Sequence, residues 1–283
     1  MDDSPRVERS NVSNRGRWGP DDDRGTANLI TVTSVLRAAR CVRSGTVVSL
    51  SHDLDRERIQ HRVLFTGLEP EVAADVITVA PHSLGLTHLD APMHIFHDGE
   101  AYNGRHPGEV LRRDGLSAGS IMAFAEGLVT RAVFLDVARA MGEESLQEGV
   151  AVTGDMLDRA LAHSGTELEP GDGVVVRVGA RVPTHLAEQR AGIGMSAVEW
   201  LRRRDVSIFG GDCCDVVPSR DAVDFPLHDI GSVDIGLVLL DWMAVDRLAA
   251  VVQQEGRSDF MLVVAPLRIP GGTGSAVNPL ALF

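Results

Sequence analysis

The sequence predicts an α/β fold in a single domain, a β-sheet core with flanking helices. Short β-branched runs alternate with amphipathic segments along most of the chain, as layered α/β proteins require. A chain of 283 residues, 44% of them hydrophobic, is long enough for one large core. No internal repeat or low-complexity linker divides it, and no glycine-rich phosphate loop marks a dinucleotide site.

Residues 1–17 (MDDSPRVERSNVSNRGR) are polar and read as a mobile arm, without the apolar core of a signal peptide; residues 18–283 form the domain. Thr33 or Ser34 caps a helix running to about Val42, with residues 35, 38, 39 and 42 on one apolar face and Gly45 ending it. TVVSLSHDL is a strand, and ITVAPHSLGLTHLD is a second, continuous one. Leu116–Glu126 is a short helix or turn. RAVFLDVA is a buried strand with Asp136 near its end. Thr153 caps the helix GDMLDRALAHSG. ELEPGDGVVVRVG is a turn and a strand, MSAVEWLRRRD a helix, VSIFGGD and GLVLLDWM strands, and FMLVVAPLRI the last strand.

Composition excludes several chemistries. The net charge is −13 and all 27 basic residues are Arg. Nucleic acid is therefore not an expected partner, because phosphate binding needs a basic face. The absence of Lys removes Schiff bases and the P-loop lysine. No apolar run reaches the roughly 18 residues of a membrane span. Cys41, Cys213 and Cys214 are too few for a disulfide framework, which fits a reducing, cytoplasmic setting. The adjacent Cys213 and Cys214 suit neither a normal disulfide nor a CxxC redox site.

What remains is His, Asp, Glu and a metal. His82, His88, His94 and His97, four of ten histidines, lie within sixteen residues. Imidazole and carboxylate are ligands for Zn²⁺, Mn²⁺ or Fe²⁺. On a helix, His88 and Asp90 would point about 200° apart. On a strand, positions of one parity face one way. His82, His88, Asp90 and His94 share parity, so a strand turning at Pro92 aims three of them into one cavity. Asp212, Asp215 and Ser219 close one later strand, His228 follows, and Asp241 closes another.

With these residues in view, the chain resembles the cyclase family that includes bacterial kynurenine formamidase and isatin hydrolase. The family signature HxGTHxDxPxH matches from Thr87 through His88, Asp90, Pro92 and His94. Further matches are WGxxDxxGxxN (Trp18–Asn28), THxDAxxHxFxDGxxYNG (Thr87–Gly104), DxxPS (Asp215–Ser219), the His228-to-Asp241 stretch and GSxxNPxA (Gly274–Ala281). The resemblance covers nearly the whole chain. It implies a swivelling β/β/α, cyclase-like fold, a homodimer or homotetramer, and a Zn²⁺ or Mn²⁺ centre, with Fe possible. It places His88, Asp90, His228 and Asp241 at the metal. It makes His94 the acid–base residue, with His228 and Asp241 also catalytic, and sets Trp18, Phe96, Tyr102 and Asp215 toward a small-molecule substrate.

Two departures stand out. The family's first His is Leu84 here. His82, two residues further back and about 6–7 Å along an extended chain, does not replace it without a local bulge. Asp241 is one methylene shorter than the Glu of small formamidases. Both changes predict one metal, weakly held, with extra water. The expected reaction is hydrolysis of a small amide, formamide or lactone, with His94 shuttling the proton. The alternatives are ring closure of a polyketide-like substrate at the same site, and a metal-binding or regulatory protein without turnover.

Overall fold

The computed structural model describes residues 12–283 apart from 55, 57, 68 and 70; residues 1–11 of the expected mobile arm lie outside the described residues. Within the rest of that arm, Val12 and Asn14 are buried, and the Asn14 side chain donates to the Ile235 carbonyl at 2.9 Å.

A nine-stranded sheet carries the fold. Its centre is parallel: Leu128–Asp136, Gly173–Arg177, Ile208–Gly211 and Val238–Asp241 lie side by side. Antiparallel strands flank both sides. Asp259–Val264, Leu280–Leu282 and Val47–Ser49 extend one side, and His88–Asp90 and Gly274–Ala276 the other. The central strands are mostly apolar because both faces are covered, and the buried Arg131 among them is paired with Asp172 and Asp259. Val133 and Leu135 pack into one core, Ala132 and Phe134 into the other, all nearly or fully buried. The mixed α/β fold predicted from the sequence is therefore the one observed.

Local chemistry explains the helix ends. Thr153 accepts the Met156 N–H at 3.3 Å, and Gly165 closes helix Gly154–Ser164 at φ 64°. The first helix differs from expectation: it spans Val32–Ala39, capped by Thr31 and Ser34 in a reciprocal box. Ser34 and Ala38, rather than a stripe reaching Val42, are its buried residues, and Val32 and Leu36 stay exposed.

The stretch read as one strand into the His cluster is broken. Among the described residues Ala73–Val79 pairs only with Ile59–Phe65, in a hairpin separate from the main sheet. Residues 81–85 then turn, with Gly85 at φ 71°, before His88–Asp90 resumes. Asp259–Val264 is not the last strand either, since two short strands follow it. Helix Asp246–Glu255 and the ten-residue π-helix Pro226–Ile235 were not expected from sequence.

Candidate metal centre

The site forms where the parallel strand Val238–Asp241 ends against the start of the antiparallel strand His88–Asp90. The register sets Asp241 directly opposite His88. Directly paired residues project to the same face, and Asp90 follows His88 by the strand period of two. Sheet register thus gathers residues that are 151–153 positions apart in sequence.

Four histidines complete the cluster. His88 donates Nδ1–H to the Leu86 carbonyl at 2.7 Å, which fixes its tautomer and leaves Nε2 3.4 Å from Asp90 Oδ1. The turn at 81–85 returns His82, whose Nδ1 lies 3.1 Å from Asp90 Oδ1. The π-helix presents His228, with Nε2 3.2 Å from Asp241 Oδ2 and 3.7 Å from Asp90 Oδ2. His94, after the Pro92 turn, stacks on His82 at a 3.6 Å centroid separation, its Nε2 4.0 Å from Asp90 Oδ1.

These residues fit a divalent cation. Asp90 Oδ1 and Oδ2, Asp241 Oδ1 and His82 Nδ1 are buried and lack a hydrogen-bond partner. Burying a carboxylate unsatisfied is costly, so such groups are normally paired or bound to metal. The donors form two sets that share Asp90: His82/His88/Asp90 and Asp90/His228/Asp241. Imidazole with carboxylate suits Zn²⁺, Mn²⁺ or Fe²⁺. The straight-strand path behind the expected missing nitrogen donor is corrected here. His82 reaches Asp90 because the chain turns rather than runs straight, while Leu84 packs against apolar residues.

Electrostatics follow the packing. Burial alone would raise the Asp90 pKa, but His82 and His88 hold it well below the carboxylate range. Burial would lower His228, yet Asp215 and Asp241 on either side hold it well above an ordinary histidine. Burial pushes His94 down to about 4, only partly opposed by Asp90, so its imidazole is neutral near pH 7. Burial, with nearby Asp212, Asp241 and Asp215, pushes the Cys213 thiol far up, and burial likewise raises Cys214. Neither thiol belongs to a ligand set.

The sequence-predicted residues His88, Asp90, His94, His228 and Asp241 converge here. Asp215, expected toward the substrate, is also present, behind His228. It is buried, with one oxygen against His228 Nδ1 and the other accepting the Leu227 N–H at 2.6 Å. It orients His228 as a carboxylate behind a metal-binding imidazole does. Tyr102 lies elsewhere: fully buried, its hydroxyl donating to Asp22 at 2.7 Å. Its ring rests on Gly236, where an added Cβ would come within 2.3 Å. Gly236 precedes the strand that ends in Asp241, on the order of 15 Å back along the chain. Trp18 is half-buried beneath the Arg17 guanidinium, which is anchored to Asp205 before the 208–211 strand begins. Phe96 packs against the core. His82, which shares strand parity with His88, reaches Asp90 through the turn at 81–85 and not along a strand.

A mixed α/β sheet ends in a buried His/Asp cluster that fits a divalent metal. The chain belongs to the cyclase family: the family model described as "Putative cyclase" matches residues 40–216. No curated protein sequence matches significantly. Among solved structures, one described as a novel cyclase is 28% identical with a TM-score of 0.84, covering 96% of this chain and 100% of that one. Isatin hydrolase A from Labrenzia aggregata, bound to benzyl benzoate, is 21% identical with a TM-score of 0.61, over 86% and 94%. A predicted metal-dependent hydrolase from Bacillus stearothermophilus is 14% identical with a TM-score of 0.52, over 84% and 98%. The latter two similarities are ones of fold.

Proposed function

We propose that the protein is a metal-dependent hydrolase that opens a small cyclic amide, formamide or lactone. The observation that carries this reading is the convergence of buried donors on Asp90, Asp241 and His82, several of their atoms without a hydrogen-bond partner, beside the neutral His94. A divalent metal held by either donor set supplies Lewis-acid polarisation of a carbonyl and acidifies water.

The chain's residues do the rest. His88 and His228 are each held by Nδ1, through the Leu86 carbonyl and Asp215, so both turn Nε2 inward. His94 is about one-fifth exposed and stacked on His82, which places it at the rim, where substrate enters. It takes a proton from the attacking water as the oxygen adds to the carbonyl carbon. It then gives that proton to the leaving nitrogen or oxygen as the C–N or C–O bond breaks. The isatin hydrolase similarity supports a cyclic amide as the first substrate class to try. Zinc and manganese are the metals to load first. We place the enzyme in the cytoplasm as a homodimer or homotetramer. Among the described residues no helix is long and apolar enough to cross a membrane.

A second reading, ring closure of a polyketide-like substrate at the same residues, is favoured by the cyclase family itself. Metal-loaded protein assayed on cyclic imides, lactones and aryl formamides separates the two. Turnover that chelation abolishes and Zn²⁺ or Mn²⁺ restores is expected. Loaded protein inert on the whole panel would reject the hydrolase reading.

A further inference from the structure

The π-helix Pro226–Ile235 carries His228 in its first turn, followed at once by Asp229. Long π-helices are rare, and π turns concentrate at functional sites because other contacts must hold them open. Asp215 grips this turn from one side, through the Leu227 N–H and His228 Nδ1. A second grip comes from the loop that carries His97. His97 Nδ1 lies 3.4 Å from Asp229 Oδ1, and Asp229 Oδ2 accepts the Phe225 N–H at 3.3 Å. Both side chains are mostly buried, 23% and 14% exposed, unlike an ordinary surface pair.

His97 is itself well placed to act as an anchor. It opens a tight turn, donating its N–H to the Glu100 carbonyl at 2.8 Å and accepting the Glu100 N–H at 3.0 Å. Asp98 and Gly99 both have positive φ, 51° and 79°, as a type I′ turn requires. The same loop carries His94, three residues earlier. One short segment therefore bears the acid–base histidine and also clasps the helix that bears His228.

We propose that His97 is a positioning residue: through Asp229 it sets the first π-turn and so aims His228 Nε2 at Asp90 and Asp241. This rests on the metal-site reading above. Removing the clasp leaves every ligand in place but frees His228 to swing about its Asp215 contact. The loss should therefore fall on the ion held by Asp90, His228 and Asp241, and spare the one held by His82, His88 and Asp90.

Titration of metal-free, full-length protein with Zn²⁺ tests this without reference to activity. His97→Ala should weaken binding at the His228 set by about 10–100-fold, the usual cost of removing a partner behind a ligand. His97→Asn, whose amide nitrogen superposes on Nδ1, should recover most of it. Asp229→Asn should match His97→Ala, and the double variant should lose no more than either. Asp98→Asn, which alters the other carboxylate beside His97, should titrate like wild type. An unchanged His97→Ala isotherm, or no rescue by Asn, overturns the clasp. Should wild type bind no Zn²⁺, the metal-site reading fails, and the ring ¹⁵N resonances of His228 in metal-free protein decide the clasp. Signals displaced in His97→Ala and restored in His97→Asn support it, and signals unmoved by His97→Ala overturn it.

Discussion

Removing the His94 imidazole leaves both donor sets complete. His94→Ala should therefore keep its metal while kcat falls by about 10²–10⁴, the usual worth of general acid–base catalysis. Metal analysis beside steady-state kinetics checks this, and metal lost with activity would make His94 a ligand. His82 is the reverse case. His82→Ala should lower metal affinity although it lies outside the family signature. Leu84→His should not raise affinity, because Leu84 faces an apolar cluster rather than Asp90. Chelator competition on the two variants separates these outcomes. His228 gives a pH signature. With burial set against Asp215 and Asp241, its folded pKa stands well above the ordinary 6.5. Its contribution to stability is therefore complete below about pH 6.5 and is lost as pH rises through the folded value. Metal-free wild type should lose stability toward alkaline pH, and His228→Gln should flatten that loss, as denaturant midpoints against pH would show. Metal uptake must displace the same proton, so affinity should rise with pH.

At the scale of elements, the edge strand Gly274–Ala276 explains why the tail motif begins with Gly. A Cβ on Gly274 would stand 2.6 Å from His82 Cε1 and 3.0 Å from the Leu89 carbonyl. The glycine is the seat of the His82 ring, and Thr273 Oγ1 beside it meets His82 Nε2 at 3.2 Å. Gly274→Ala should push His82 out and weaken metal binding while the far-ultraviolet spectrum stays that of the native fold. An unchanged titration would mean the ring has another place to sit. The turn at 81–85 matters as much. Strand parity grouped His82 with His88, but the backbone reverses at Gly85, so shared parity was not the physical cause. Pro81 and a left-handed Gly are turn formers, and that signal was legible. The path of the turn was not, since it depends on contacts with residues nearly two hundred positions away.

At the scale of the molecule, hairpin Ile59–Phe65/Ala73–Val79 pairs with no other strand among the described residues. Val63, Phe65 and Ile77 project on one of its faces and are 53%, 63% and 54% exposed. A lone two-stranded hairpin is marginal in water, and large exposed apolar patches mark association sites. A dimer or larger assembly is expected by light scattering at micromolar concentration. Val63→Asp with Phe65→Asp should shift it toward monomer if this face is in the interface. A wild-type monomer would contradict the proposed assembly.

The sequence by itself determined the α/β class, the largely apolar central strands, the cap at Thr153, and the donor types. Each is local: periodicity, capping and donor chemistry operate within a few residues. His88, Asp90, His94, His228 and Asp241 were named because those side chains, at those spacings and in a motif already known to bind metal, leave few other uses. Only the tertiary structure decided that His82 lies against Asp90 while Leu84 packs in the core, that Asp215 holds His228, and that Tyr102 is bonded to Asp22. It also decided that the His228 segment is a π-helix. The reason is physical: each outcome depends on a partner remote in sequence, such as Thr273 for His82, Asp22 for Tyr102 and Asp215 for His228. Side-chain donors buried in a shared cavity must satisfy one another, and which of them meet is set by the register of the sheet.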